Sequence, residues 1–345
     1  MGLPDLVAAA MLAALIVYAL LGGADFGGGV WDLLARGPRA PDQRRLIERA
    51  IAPVWEANHV WLIVVVVILF SGFPAAFAAI STALHVPLAL LLVGIVLRGA
   101  AFTFRHYDHA GATVQKRWGR VFAVASGVSP IFLGIVIGAI TSGRVRLDEH
   151  GVPLGGFFRP WLDVFPVAVG LLTLALFAFL AAVYLYVEAG DAPVAEDFRR
   201  RAIGAGIAVF GGALFAGLVA GPGTEGFQRH LFGARWSLLH QILTGLTATG
   251  AFVCLFLRRA RVARLLAAAQ VTLILVGWGL AQRPYIVAPD LTLVAAAAPP
   301  RTLALLLITL GAGSALLFPS LYWLIRVFKR GPAFAPLDEG DGDEG

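Results

Sequence analysis

The sequence predicts an all-α polytopic membrane protein with about nine transmembrane helices. Three observations predict it. Of 345 residues, 59% are hydrophobic and 14% charged, and the mean hydropathy is +0.82; soluble domains average about 45–50% apolar and about 25% charged. Apolar runs close to the roughly 20 residues that a helix needs to cross a bilayer recur along the chain. Lys and Arg collect in every second connection between those runs.

The runs lie near residues 4–24, 55–79, 81–103, 120–141, 163–187, 202–221, 236–257, 262–281 and 302–327. Each must be helical, because lipid offers no partner for backbone amides and each segment has to satisfy its own. The first can continue through Trp31 to Leu34. The seventh and eighth are separated only by Arg258 to Arg261, which predicts a tight antiparallel hairpin. No connection is long enough for a soluble domain. Residues 1–330 are therefore expected to form one transmembrane helical domain. The acidic, Gly-rich tail 331–345 is expected to be disordered.

Of the 27 Lys and Arg residues, 20 fall in the odd-numbered connections, in the run ends that border them and in the C-terminal segment, and seven in the even-numbered connections. This asymmetry places the odd connections in the cytoplasm, with the N-terminus outside and the C-terminus inside. The same topology explains the net charge of +6 better than nucleic acid does. The first run has no basic leader and carries Asp5, so it is expected to be a spanning helix rather than a signal peptide. The single Cys254 excludes a disulfide framework or a Cys-based metal centre within the chain.

Ionisable groups entering hydrocarbon are costly and mark functional sites. The stretch Trp55-Glu-Ala-Asn-His-Val-Trp61 opens the second run with a carboxylate, an amide, an imidazole and two indoles. Glu56 and His59, three apart, share one helix face. Two readings stand: a proton-carrying pair whose carboxyl burial tunes, or a helix start that pairs with Arg45 or Arg49 at the interface. Asp25 lies at the inner end of the first helix, in Gly22-Gly-Ala-Asp-Phe-Gly-Gly-Gly29. It is either a proton or hydrogen-bond group or the cap of a helix break. Gly23 and Gly27 have the spacing that lets another helix approach closely. They lack the strand context of a nucleotide loop. Gly134 and Gly138 repeat the packing signal. Arg98, late in the third helix, is expected to snorkel to the inner surface. His85 and His240 sit at outer helix starts, where solvated histidines are commoner than haem ligands. The loop from Trp278 to Asp290 suits an aromatic belt or a docking surface. No inverted repeat of broken helices or ring of charges points to a transporter or a pore, although a stand-alone proton-coupled transporter using Asp25 and Glu56 remains the alternative reading.

Gly23-Ala-Asp-Phe-Gly-Gly-Gly29, Pro53-Val-Trp-Glu-Ala-Asn-His-Val-Trp-Leu62, Leu97-Arg-Gly99 with Phe104-Arg105, Gln282-Arg-Pro-Tyr285 and Pro289-Asp-Leu-Thr292 resemble, in order and spacing, subunit II of cytochrome bd-type quinol oxidases. The Trp-acid-x-Asn block is the most specific part, and the resemblance runs to Phe328. It implies a heterodimer in a prokaryotic cytoplasmic membrane, with a larger subunit I that carries the b- and d-type haems and the quinol site. The complex would oxidise quinol and reduce oxygen to water with cytoplasmic protons. The resemblance leaves room for a quinone held structurally and for a small accessory subunit. Subunit II would hold no metal and perform no catalysis alone. The family's proton-path acid falls on Glu56, where many relatives have Asp. His59 stands where relatives often have Gln or Glu. Asp25 and His59 would join the path, and Trp55, Asn58, Trp61, Arg98, Gly23 and Gly27 would hold structure or interface.

Overall fold

The computed structural model describes residues 2–51, 55–107 and 112–329; the tail expected to be disordered lies outside them. Helix α1 (Leu3–Leu33) runs unbroken through its glycines, so Asp25 caps no break. The continuation toward Leu34 is borne out. A turn leads into α2 (Ala40–Ile51), which the sequence reading treated as connection. Its Gln43, Ile47 and Ile51, one turn apart, are buried, and Ile51 packs against Gly28 of α1.

Helix α3 (Trp55–Gly72) stops where the second apolar run was expected to continue to 79. At Phe73 the chain bends by 118° into α4 (Pro74–Ala83). Pro74 has no N–H to donate back into α3 and forms the first turn of a new helix. The Gly72 carbonyl accepts instead from the Ala298 amide at 2.8 Å, and the Phe73 ring is fully buried. Helix α5 (His85–Tyr107) then returns, and α6 (Ala112–Thr141) runs back.

After a small hairpin of β1 (Arg146–Leu147) and β2 (Pro153–Leu154) come α7 (Val164–Glu188) and α8 (Val194–Leu218). The short α9 (Glu225–Gly233) precedes α10 (Ser237–Phe256) and α11 (Ala260–Gln282), which form the expected tight antiparallel pair. A second hairpin, β3 (Tyr285–Val287) with β4 (Leu291–Thr292), and α12 (Leu293–Ala296) lead into α13 (Pro300–Lys329). Among the described residues eight helices are long and apolar enough to cross a membrane, and nine if the bent α3–α4 pair is one span. The second hairpin folds back onto the bundle with Ile286 and Val287 buried.

Helices α1 and α7 form the centre. From Phe177 to Val183 every α7 side chain is buried, the pattern of a helix enclosed on all sides. Trp31 donates its indole N–H to the Ala178 carbonyl at 2.8 Å. Gly23 and Gly27 seat α1 on α7: a Cβ at Gly27 would lie 2.1 Å from the Phe177 carbonyl oxygen. Gly134 and Gly138 do the same for α6 against α7, which is packing, as their spacing suggested. The outward faces of the other helices carry exposed Phe70, Leu92, Phe210 and Ile308, as a lipid-facing surface requires. The bundle's basic end, which holds α2 and the α7–α8 and α10–α11 turns, is tied by charge. Asp197 accepts from Arg39 at 2.5 Å and from Gln43 at 2.8 Å. Arg201 lies between the Trp31 and Phe198 rings. Glu196 holds Arg199 and Arg200.

Gly27→Leu is expected to destabilise the fold by about 3 kcal/mol or more, the upper range for overpacking against backbone that cannot yield. Gly211→Leu in α8, where nothing lies within 4 Å of an added Cβ, is expected to melt like wild type. Thermal melts of the detergent-solubilised protein compare the two.

Candidate functional site

The site is built on one face of α1. Tyr18, Gly22, Asp25 and Gly29 follow one another at helical spacing and point toward α3, α5 and α6. Gly22 leaves room for the Tyr18 ring, which lies 3.1 Å from where a Cβ would stand. At Gly29 a Cβ would meet the Ser126 hydroxyl of α6, and at Gly94 of α5 it would meet that of Ser129. Small residues on α1 and α5 thus draw the serines of α6 against them.

Into this junction α5 sends Arg98. Its side chain is buried, 1% exposed, which overturns the expectation that it snorkels to the surface. Snorkelling is the default for a cation on a lipid-facing side; Arg98 faces the protein interior, and its counter-charge is there. One guanidinium N–H pairs with the Asp25 carboxylate, itself 2% exposed. Nε donates to the Ser126 hydroxyl at 3.1 Å, and that hydroxyl donates to the Phe122 carbonyl at 2.7 Å. The guanidinium plane lies between two rings, 4.9 Å from Phe26 and 5.0 Å from Phe122, where cation–π attraction offsets part of the lost hydration. Arginine keeps its charge under any condition a protein meets, so burial demands a partner, and Asp25 is it.

Helix α3 brings the sequence-predicted polar block to the same place. Asn58 is buried with its amide beside the Asp25 carboxylate. The His59 ring is half-buried, with its edge on Phe26 at 5.8 Å and tilted against Tyr18 at 6.3 Å. Trp61 is buried in the core. The side chains of Trp55 and Glu56, at the start of α3, lie outside the described residues. Of the predicted residues, Asp25, Asn58, His59 and Arg98 therefore converge, while Gly23 and Gly27 serve the α1–α7 contact. Arg45 pairs with Asp42 on its own helix at 2.9 Å; the expected pairing of Glu56 with Arg45 or Arg49 falls on a side chain outside the described residues. Sequence reasoning missed Tyr18, Phe122 and Ser126. The glycines one turn beyond Tyr18 and opposite Ser126 are the signals that could have found them.

The described histidines of the sequence reading are held by contacts within the bundle. The Nδ1 of His85 lies 2.9 Å from the Thr82 carbonyl, and its ring packs on Phe157. His240 donates Nε2–H to the Leu273 carbonyl at 2.9 Å, with its ring against Gly277 and Trp236. His59 is wedged between two rings of its own bundle. Among the described residues no three His, Cys, Asp or Glu side chains converge on one point.

A family model described as cytochrome bd terminal oxidase subunit II matches residues 3–328. The chain is 28% identical over 177 residues to cytochrome bd-I ubiquinol oxidase subunit 2 of Escherichia coli (strain K12), covering 50% of this chain and 45% of that protein. It is 30% identical over 135 residues to cytochrome bd ubiquinol oxidase subunit 2 of Bacillus subtilis (strain 168), covering 39% of each chain. These matches span half or less of either relative. The solved structure of bd oxidase from Geobacillus thermodenitrificans contains a chain with a TM-score of 0.79 at 22% identity, covering 95% of this chain and 99% of that one. That likeness shows a shared fold.

Breaking the buried pair from one side, with Asp25→Asn or Arg98→Gln, is expected to cost about 3–5 kcal/mol, because a charge is left uncompensated. The double replacement Asp25→Leu/Arg98→Met is expected to recover a large part of that loss. A thermal double-mutant cycle checks the non-additivity.

Proposed function

This chain belongs to the cytochrome bd terminal oxidase subunit II family, and we propose that it is the haem-free partner of a larger, haem-bearing subunit I in a membrane quinol:oxygen oxidoreductase. The complex would sit in the cytoplasmic membrane of a prokaryote, with the basic end of this bundle on the cytoplasmic side. Quinol oxidation and oxygen reduction would belong to the partner's haems. This chain would complete the complex and help to supply protons, since reducing oxygen to water takes up as many protons as electrons.

The observation that carries the reading is the convergence of Asp25, Arg98, Asn58 and His59 inside helices that are otherwise apolar. Ionisable groups persist in a membrane interior where they serve charge movement or hold a partner. Glu56 begins α3, near the basic end, three residues before His59 on the same helix. A carboxyl there can take a proton from the cytoplasmic side and pass it inward toward the polar cluster. The Asp25–Arg98 pair fixes the charge of that cluster, and Asn58 and His59 line it. The wide apolar faces of α5, α8 and α13 suit lipid and a partner's helices. The role of Glu56 distinguishes this reading from plain scaffolding.

Glu56→Gln in the co-expressed complex is expected to leave assembly intact and to slow quinol-dependent oxygen uptake by about tenfold or more, because an amide cannot relay a proton. Glu56→Asp is expected to retain most of the rate. Oxygen uptake by purified Glu56→Gln complex at the wild-type rate would remove Glu56 from the path.

A further inference from the structure

The α7–α8 and α10–α11 turns meet at the basic end of the bundle. Glu196 of α8 accepts from Arg199 at 2.7 Å and from Arg200 at 3.0 Å, and lies 3.5 Å from Arg258. Arg258, Arg259, Arg261 and Arg264 fall within seven residues of chain. Together with Arg199 and Arg200 they share these two turns with three carboxylates, Glu188, Asp191 and Glu196. Asp197 and Arg201 are engaged with α2. Arg264 reaches Glu188 at 3.7 Å. Arg259 and Arg261 are exposed and form no ion pair among the described residues.

Orientation in the membrane explains why a loop is basic, but not how these arginines are placed. Arg258 has φ 59°, in the left-handed region. It stands where a Schellman motif ends α10. Its N–H donates to the Leu255 carbonyl at 3.3 Å, and the Arg259 N–H donates to the Cys254 carbonyl at 2.8 Å. Glycine takes this position without strain, yet the chain holds a guanidinium there, on a side chain 70% exposed. The first turn of α11 has no acidic residue and no side-chain cap. Arg259 and Arg261 therefore meet the positive end of that helix with no opposite charge in the turn.

Apolar surface lies directly beside this charge. Phe256, Leu257, Val262 and Leu265 are exposed, and Leu265, one turn after Arg261, shares its face of α11. An anionic phospholipid matches both parts. Its phosphodiester fits the planar two-donor fork of arginine, and its acyl chains can cover the apolar side chains next to it. A soluble anion would meet only the charge. Clusters of about four to eight basic residues beside a spanning helix recognise anionic lipids.

We propose that the α10–α11 turn, with Arg200 of α8, binds the headgroup of an anionic phospholipid, whose acyl chains run along Phe256, Leu257 and Leu265. The lipid supplies the negative charge that this end of the bundle lacks and joins α8 to the α10–α11 pair. The site uses no residue of the Asp25–Arg98 cluster and does not depend on whether Glu56 carries protons.

Native mass spectrometry of the full-length protein in detergent, titrated with phosphatidylglycerol or with phosphatidylcholine of the same acyl chains, tests it. Phosphatidylglycerol is expected to bind several-fold more tightly. Arg258→Gly/Arg261→Gln is expected to weaken its binding by about tenfold or more, as the loss of two charges at a membrane surface implies. Glycine relieves the left-handed strain at position 258, so this variant is expected to melt no lower than wild type. If it fails to fold, Arg261→Gln alone is expected to weaken binding several-fold. Arg36→Gln/Arg45→Gln removes the same charge from exposed positions at and before α2 and is expected to leave binding unchanged. Equal affinity of the wild-type protein for the two lipids overturns the proposal. So does unchanged binding by the α10–α11 variants, which would put the lipid elsewhere. Equal weakening by both double variants overturns it in favour of net charge alone, and displacement of phosphatidylglycerol by millimolar inorganic phosphate overturns it in favour of a soluble-anion site.

Discussion

A permanent positive charge buried in an apolar bundle sets the terms for everything around it. Arg98 cannot shed its proton and does not reach the surface, so its neighbours must supply a counter-charge, hydrogen bonds and polarisable walls. Asp25 provides the first, Ser126 the second, and Phe26 and Phe122 the third. Each comes from α1 or α6, so the requirement of one side chain on α5 fixes the relative position of three helices. Such a pair contributes little net stability when formed and costs much when broken. Its effect is on which arrangement of helices is tolerated.

The glycines make that arrangement reachable. Helix α1 touches α2 through Gly28, α6 through Gly29 and α7 through Gly23 and Gly27. Helices surrounded by lipid gain little from hydrophobic burial against one another, and close backbone approach with dense packing takes its place. The same approach brings polar side chains within reach of their partners across helices. Packing and the polar cluster are therefore one design: moving α1 outward by the width of a methyl group would loosen both the α1–α7 contact and the Asp25–Arg98 pair.

Most of the architecture was legible because the bilayer simplifies the problem. Length and apolarity marked the spans, and the α10–α11 hairpin followed from four residues of connection. The exceptions have physical causes. Gly72-Phe-Pro74 lies inside a run whose hydropathy never drops, so the 118° bend is invisible to a hydrophobic window. Helix α2 is amphipathic and charged, and inside a basic connection it looked like loop. Arg98 was placed at the surface because a single helix does not reveal which side faces the bundle. Only the positions of α1 and α6 show that its counter-charge is inside. The Asp25 and Asn58–His59 blocks were each visible as polar intrusions, but their meeting across α1 and α3 depended on packing that no one-dimensional spacing contains. Tyr18 carried no signal beyond the glycine four residues later.

Family membership and the internal cluster are the two supports of the proposed role. The most direct test is to purify this chain with and without the larger membrane subunit proposed as its partner, and to record dithionite-reduced minus oxidised spectra and quinol-dependent oxygen uptake for each. The account predicts haem bands and oxygen uptake in the co-expressed sample and neither in the chain alone. Haem bound by the chain alone would contradict it, and so would a chain that moves protons across vesicle membranes with no partner present.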